Sequence, residues 1–254
     1  MNILDSTPTT AIEQLGRLLR ARIGTKQVIM IASASHGEGT STVTAQLAIC
    51  LAKHGTGSVL AGDLNLDGPQ LHEFLNVTNH GGMVDVLNRK TKLTEAVQAT
   101  KLYNLLVLTS GQRLWDPMTQ RDARSDGMPG SNMDRSVERH STSISSITAS
   151  RHGASDSLRF RSPLNLSDCQ SAFSDMREQF DLTLLDTPPI NTFPEGLALT
   201  PWVDGVVLVV RAGHTRREVV QHAAEQIRLH GGKILGVVLN RRRYVIPNFL
   251  YRRL

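Results

Sequence analysis

Cysteine is nearly absent from this 254-residue chain, with Cys50 and Cys169 standing far apart. Two such residues exclude a disulfide framework and have no metal-ligand spacing, which fits a reduced, cytoplasmic setting. Cys50 falls within a predicted helix and reads as a small buried apolar residue. No stretch approaches the ~20 uninterrupted apolar residues of a membrane-spanning helix. The opening Met1-Asn-Ile-Leu-Asp5 lacks the charged-then-apolar order of a signal peptide, so none is expected. No internal repeat is visible. Aromatics make up 4% of the chain, and Trp115 and Trp202 have no aromatic partners at useful spacing, so both read as packing residues. The chain is nevertheless 40% hydrophobic, enough for a sizeable core in one large α/β domain or two small ones. A net charge of +5, carried mostly by arginine, suggests contact with phosphate, nucleic acid or anionic lipid.

The stretch that organises the chain is Ala34-Ser-His-Gly-Glu-Gly-Thr-Ser-Thr42. It lies between the apolar run Val28–Ala32 and a helical pattern starting near Ser41. Strand, glycine-rich turn and helix is the context of a phosphate-binding loop. Gly37 and Gly39 let backbone amides converge on an anion, and the helix N-terminus adds unpaired N–H groups. Ser41 stands where a loop hydroxyl ligates Mg²⁺. In the pattern G-x-x-x-x-G-K-[ST] the lysine falls at position 40, where this chain has Thr40, and the first glycine is Ala34. Such a loop by itself also fits an ordinary strand–helix turn. His36 reads as a solvent-facing loop residue that could touch a phosphate.

Along the chain, residues 9–23 have helical spacing, with Ile12, Leu15, Leu18 and Leu19 as the apolar stripe and Arg17 and Arg20 on one face. Gln27–Ser33 reads as a buried strand. A helix follows from Ser41 to His54, stopped by Gly55 and Gly57. Strand Ser58–Gly62 leads into Asp63-Leu-Asn-Leu-Asp-Gly-Pro69, which puts a carboxylate at a strand end. Short helices are expected at Leu71–Leu75 and Met83–Leu87, and a strand at Leu102–Leu108. From Gln112 to Ser162 serine, glycine, arginine and aspartate dominate without a period, as in a disordered surface insertion. A helix over Leu166–Phe180 precedes the strand Asp181–Asp186 and Thr187-Pro-Pro189. An apolar strand ending in an acid is a second signature of phosphate-loop enzymes, in which the acid sits beside Mg²⁺. Strand Val203–Val210, helix Thr215–His230, strand Ile234–Leu239 and Asn240 complete the pattern. This alternation predicts an α/β fold of P-loop NTPase type, a mostly parallel sheet with helices on both faces. Residues 1–111 and 163–254 then make one domain, with 112–162 inserted.

The Gly-Glu-Gly loop, the strand ending in Asp63 and the strand ending in Asp186-Thr-Pro-Pro189 resemble, in that order, the bacterial tyrosine-kinase family. These are the CpsD/CapB-like proteins of capsule and exopolysaccharide synthesis, related to ParA/MinD-type ATPases. The resemblance covers residues 10–111 and 164–245. It implies ATP and Mg²⁺ as cofactors, with Gly37, Glu38, Gly39, Thr40, Ser41 and Thr42 around the phosphates and Ser41 and Asp186 on the metal. It implies Asp63 as the base for an attacking tyrosine hydroxyl, Asp186 as the Walker B acid and Asn240 as an adenine reader. Gln14, Arg17 and Arg20 resemble a Glu-x-x-Arg-x-x-Arg helix used in ring assembly. Asn65 replaces a second acid, and Asp67 and Gly68 replace an arginine pair. The family's tyrosine-rich tail is absent, with only Tyr244 and Tyr251 near this terminus.

The expected partner is a membrane polysaccharide co-polymerase (a chain-length determinant), with homo-oligomer formation and a peripheral membrane contact as further expectations. The site of action is then the cytoplasm, at the inner face of the plasma membrane. Two functions follow from the resemblance and its departures. One is an ATP-dependent tyrosine autokinase with weakened catalysis. The other is a non-catalytic regulatory subunit, which Thr40, Asn65 and the missing tyrosines favour. A DNA- or membrane-positioning ATPase would need a signature lysine near Ser35 or His36, so nucleic acid is not expected. The tail from Tyr244 to Leu254 mixes apolar residues with arginine. Pro247 interrupts any helix there, which favours an extended arm docked on protein over a membrane-bound one.

Overall fold

The computed structural model describes residues 10–111 and 166–242, apart from 23, 56, 67 and 194. Asp67, the 112–162 segment with Trp115, and the tail from Tyr244 lie outside the described residues. The elements run α1 (Thr10–Arg22), β1 (Gln27–Ser33), α2 (Thr40–His54), β2 (Val59–Asp63), α3 (Leu71–Phe74), α4 (Met83–Leu87) and α5 (Leu93–Ala96). They continue with β3 (Gln98–Ala99), β4 (Leu105–Leu108), α6 (Leu166–Gln179), β5 (Leu182–Asp186), α7 (Glu195–Ala198), β6 (Gly205–Arg211), α8 (Arg217–Leu229) and β7 (Ile234–Asn240).

The strands form one sheet in the order β3-β4-β2-β5-β1-β6-β7. All neighbours are parallel except β3 and β4. The central strands are buried almost throughout and mostly apolar because a parallel sheet with helices on both sides buries both faces. Along β1, Val28, Met30 and Ala32 join one core while Ile29 and Ile31 join the other. The first core takes residues from α4, α5, α6 and α8, and the second from α1, α2 and α3. This is the expected α/β architecture.

The structure corrects several local expectations. Leu18 is exposed, and Gly16 is buried against Cys50 and Leu51 of α2. The apolar stripe of α1 is therefore narrower than its spacing predicts. The strand expected over Leu102–Leu108 is confined to Leu105–Leu108, because Thr100 and residues 101–104 form a turn closed by the Leu105 N–H donating to Leu102 O at 3.0 Å. The two-residue strand β3 and the one-turn helices α5 and α7 were not expected, being too short to carry a period. Trp202 does have an aromatic neighbour, Phe173, with ring centroids 6.3 Å apart. It lies on a separate element and so was invisible to spacing. Cys50 and Cys169 are both buried free thiols whose pKa is raised by burial.

Candidate functional site

The sheet order brings three strand ends together. β5 (from Leu182) lies between β1 (to Ser33) and β2 (to Asp63), although both precede it far back in the sequence. Asp186 pairs with Asp63 across β5 and β2, and with Ile31 across β5 and β1. The phosphate-loop residues begin at Ala34, three positions beyond Ile31. The loop and both predicted acids therefore share the carboxyl edge of the sheet, where open α/β sheets bind ligands.

The loop has the backbone that its glycines permit. Gly37 and Gly39 have φ of +75° and +88°, a region that L side chains avoid. Gly39 caps α2, whose first residues Thr40 and Ser41 are largely buried. Glu38 is 1% exposed and points into the protein rather than at a ligand. Its Oε2 accepts the Ala34 N–H at 2.9 Å, and its Oε1 accepts the Thr215 hydroxyl in a short hydrogen bond. Glu38 is thus an internal strut that ties the loop to the segment after β6. Thr215 was missed at the sequence level because it lies 177 residues from its partner. His36 is exposed, as expected, and meets the edge of Phe193 with ring centroids 5.6 Å apart.

Asp186 is completely buried, and neither carboxylate oxygen has a hydrogen-bond partner among the described residues. Its pKa is raised well above the ordinary carboxylate range by desolvation and by the charge on Asp63. The hydroxyls of Ser41 and Thr44 face it and oppose that shift, although Thr44 Oγ1 spends its proton on Thr40 O at 3.0 Å. A buried acid without partners is costly unless something else compensates it. A divalent cation held by Ser41 and Asp186 would supply that compensation. The donor set suits Mg²⁺, which takes few protein ligands. No cage of three or more acidic, histidine or cysteine residues occurs among the described residues.

Asp63 is equally buried, but its oxygens are occupied. Oδ1 accepts the Asn65 N–H at 2.9 Å, and Oδ2 accepts the Gln70 and Leu71 N–H groups, each at 3.2 Å. Desolvation raises its pKa to about 6 against these backbone contacts. In this conformation Asp63 anchors the turn that leads into α3. Asn65, in place of the expected second acid, donates from Nδ2 to Gly68 O at 3.1 Å and helps close the same turn.

Asn240 ends β7 beside the loop. Its Nδ2 donates to Glu38 O at 2.8 Å, its Oδ1 accepts the Arg241 N–H at 2.8 Å, and its amide stands where a Cβ on Gly39 would sit. Both ends of the amide that the resemblance assigns to adenine are thus used within the protein. On α1, Arg20 donates to Leu51 O in a short bond and to His54 O at 3.0 Å, capping the end of α2. Arg17 is 80% exposed and pairs with Glu13 at 3.7 Å. The two arginines therefore differ in role.

Fold and site together define a P-loop NTPase-like protein whose loop has lost its lysine. The chain belongs to the ParA family: the family model described as NUBPL iron-transfer P-loop NTPase matches residues 24–251. Among curated proteins it is 29% identical over 212 residues to the tyrosine-protein kinase YwqD of Bacillus subtilis, covering 84% of this chain and 71% of that one. It is 23% identical over 215 residues to the succinoglycan biosynthesis transport protein ExoP of Rhizobium meliloti, covering 85% of this chain and 22% of the larger protein. Among solved structures, the kinase domain of the Escherichia coli tyrosine kinase ETK superposes with a TM-score of 0.64 at 20% identity, covering 92% of this chain and 79% of that one. This last likeness concerns the fold.

Proposed function

We propose that the protein binds Mg·ATP and is a tyrosine-autokinase-like component of exopolysaccharide or capsule synthesis and export, with weakened phosphoryl transfer. The observation that carries this reading is Asp186, a buried carboxylate whose oxygens have no hydrogen-bond partner among the described residues, facing Ser41 at the first turn of α2. The Mg²⁺ that these residues would hold neutralises phosphate charge. The chain's own contributions are loop amides around the phosphates, the positive end of α2, and Asp63 as the acceptor of an incoming hydroxyl proton. Backbone N–H groups take two acceptor sites on Asp63 Oδ2 and one on Oδ1, so the proton would enter at the second site on Oδ1. Thr40 supplies a hydrogen bond but no charge. Losing one preorganised donor of this kind typically costs ~10²–10³ in rate.

A second reading has two specific observations in its favour, Thr40 and the backbone N–H contacts on both oxygens of Asp63. Under it the chain is a regulatory subunit that senses nucleotide and docks on a membrane polysaccharide co-polymerase without chemistry. The relatedness to a segment of a much larger polysaccharide transport protein supports such a partnership in either case.

Transfer of γ-phosphate from labelled Mg·ATP separates the two. Label on the wild type that disappears with Asp186→Asn is the outcome expected of a kinase. Label appearing only on Thr40→Lys would identify a competent scaffold that has given up chemistry. Label on neither, with or without the partner's cytoplasmic segment, would remove the kinase reading.

A further inference from the structure

The charge missing at position 40 has a candidate replacement elsewhere at the loop. Arg241 follows β7, and its Nε lies 3.8 Å from the position that a Cβ on Gly39 would occupy. It is held there by two unusual features. Its backbone adopts φ +55°, uncommon for a residue other than glycine. Its N–H donates to Asn240 Oδ1, while Asn240 Nδ2 is fixed to the loop carbonyl of Glu38. The Asn240 side chain is therefore a clamp that brings the end of β7 onto the loop and Arg241 with it. Among the described residues no carboxylate pairs with the Arg241 guanidinium. The one acid in the loop, Glu38, is buried and turned toward Ala34 and Thr215, so it is not positioned to pair with that guanidinium.

We propose that Arg241 is the phosphate-binding cation of this loop, reaching the β- and γ-phosphates of a bound nucleotide from the end of β7 in place of a lysine at position 40. The inference rests on the nucleotide reading above. A guanidinium suits the task because its charge is permanent and its fork of donors matches two phosphate oxygens. Because it stands on a neighbouring strand rather than in the loop, its contact depends on the Asn240 clamp. Asn240 is then a positioning residue.

The test is equilibrium binding of Mg·ATP, Mg·ADP and AMP to the full chain and its variants. Arg241→Asn removes the charge while keeping a residue that tolerates the left-handed backbone. It is expected to weaken Mg·ATP by about 10- to 100-fold, the worth of one or two charge-assisted hydrogen bonds. AMP should change little. Arg241→Lys should fall between the wild type and Arg241→Asn. Adding Thr40→Lys to Arg241→Asn should recover most of the loss, and should gain less in the wild-type background. Equal losses for AMP and ATP, or Mg·ATP binding unchanged by Arg241→Asn, would overturn the assignment and leave the nucleotide reading standing. A wild-type chain that binds none of the three nucleotides would instead overturn the nucleotide reading, and this inference with it.

Discussion

Asp186 and Asp63 face each other across adjacent strands, both fully buried, and the nucleotide-free protein carries the cost of that pair. Burial raises Asp63 to about 6 from an ordinary 3.8, and burial with the neighbouring charge raises Asp186 well above that ordinary value. Asp63 therefore holds more protons in the folded than in the unfolded state between about pH 4 and 6, and the shift of Asp186 acts in the same direction. The pair favours folding at low pH and turns against it as pH rises through this window. Without nucleotide, stability should fall as pH rises from about 4 through 6, and Asp186→Asn should flatten that fall. Thermal melts across pH check this. Parallel curves for the two proteins would mean that the acids are not coupled as described.

Element-scale behaviour centres on α2, which is held at both ends. At its C-terminal end Arg20 satisfies two carbonyls that the helix leaves open. Arg20→Met should lower stability by about 1–2 kcal/mol, read from urea midpoints. Arg17→Ala should stay within about 0.5 kcal/mol, because an exposed i,i+4 pair contributes little. Equal effects would contradict the division of roles between these two arginines. At the N-terminal end, Gly39 combines φ +88° with the Asn240 amide in the place of a Cβ. Gly39→Ala should cost about 1–3 kcal/mol through backbone strain and break the clamp. Its folded fraction should then bind Mg·ATP measurably more weakly, and undiminished affinity would argue that the clamp is dispensable.

For the molecule as a whole, a ligand that binds only the folded state stabilises it by mass action. Mg·ATP at 100 times its dissociation constant should add about 2.7 kcal/mol, visible as a rise in melting temperature that excess EDTA reverses. No shift at millimolar Mg·ATP would count against nucleotide binding. The sheet ends at β7, where Val237 and Leu239 are 58% and 54% exposed. Among the described residues no helix is long and apolar enough to cross a bilayer.

Much of this architecture was legible in the sequence. The apolar strand β1 and the bounds of α2, α6 and α8 came within a few residues because local period and glycine punctuation decide them. That the loop glycines and Ser41 lie between β1 and α2, and Asp63 and Asp186 at strand ends, was legible because these are local properties. Short elements such as β3 and α5 were not legible, since two to four residues carry no period. Nor could any local signal say that Glu38 turns inward to Thr215, that both oxygens of Asp63 meet backbone while those of Asp186 meet none, or that Arg20 caps α2 while Arg17 does not. The position of Arg241 over Gly39 belongs with these. Each depends on which strand ends the sheet order makes neighbours. That order is set by burying two hydrophobic faces at once across the whole chain, so only the tertiary structure decided it.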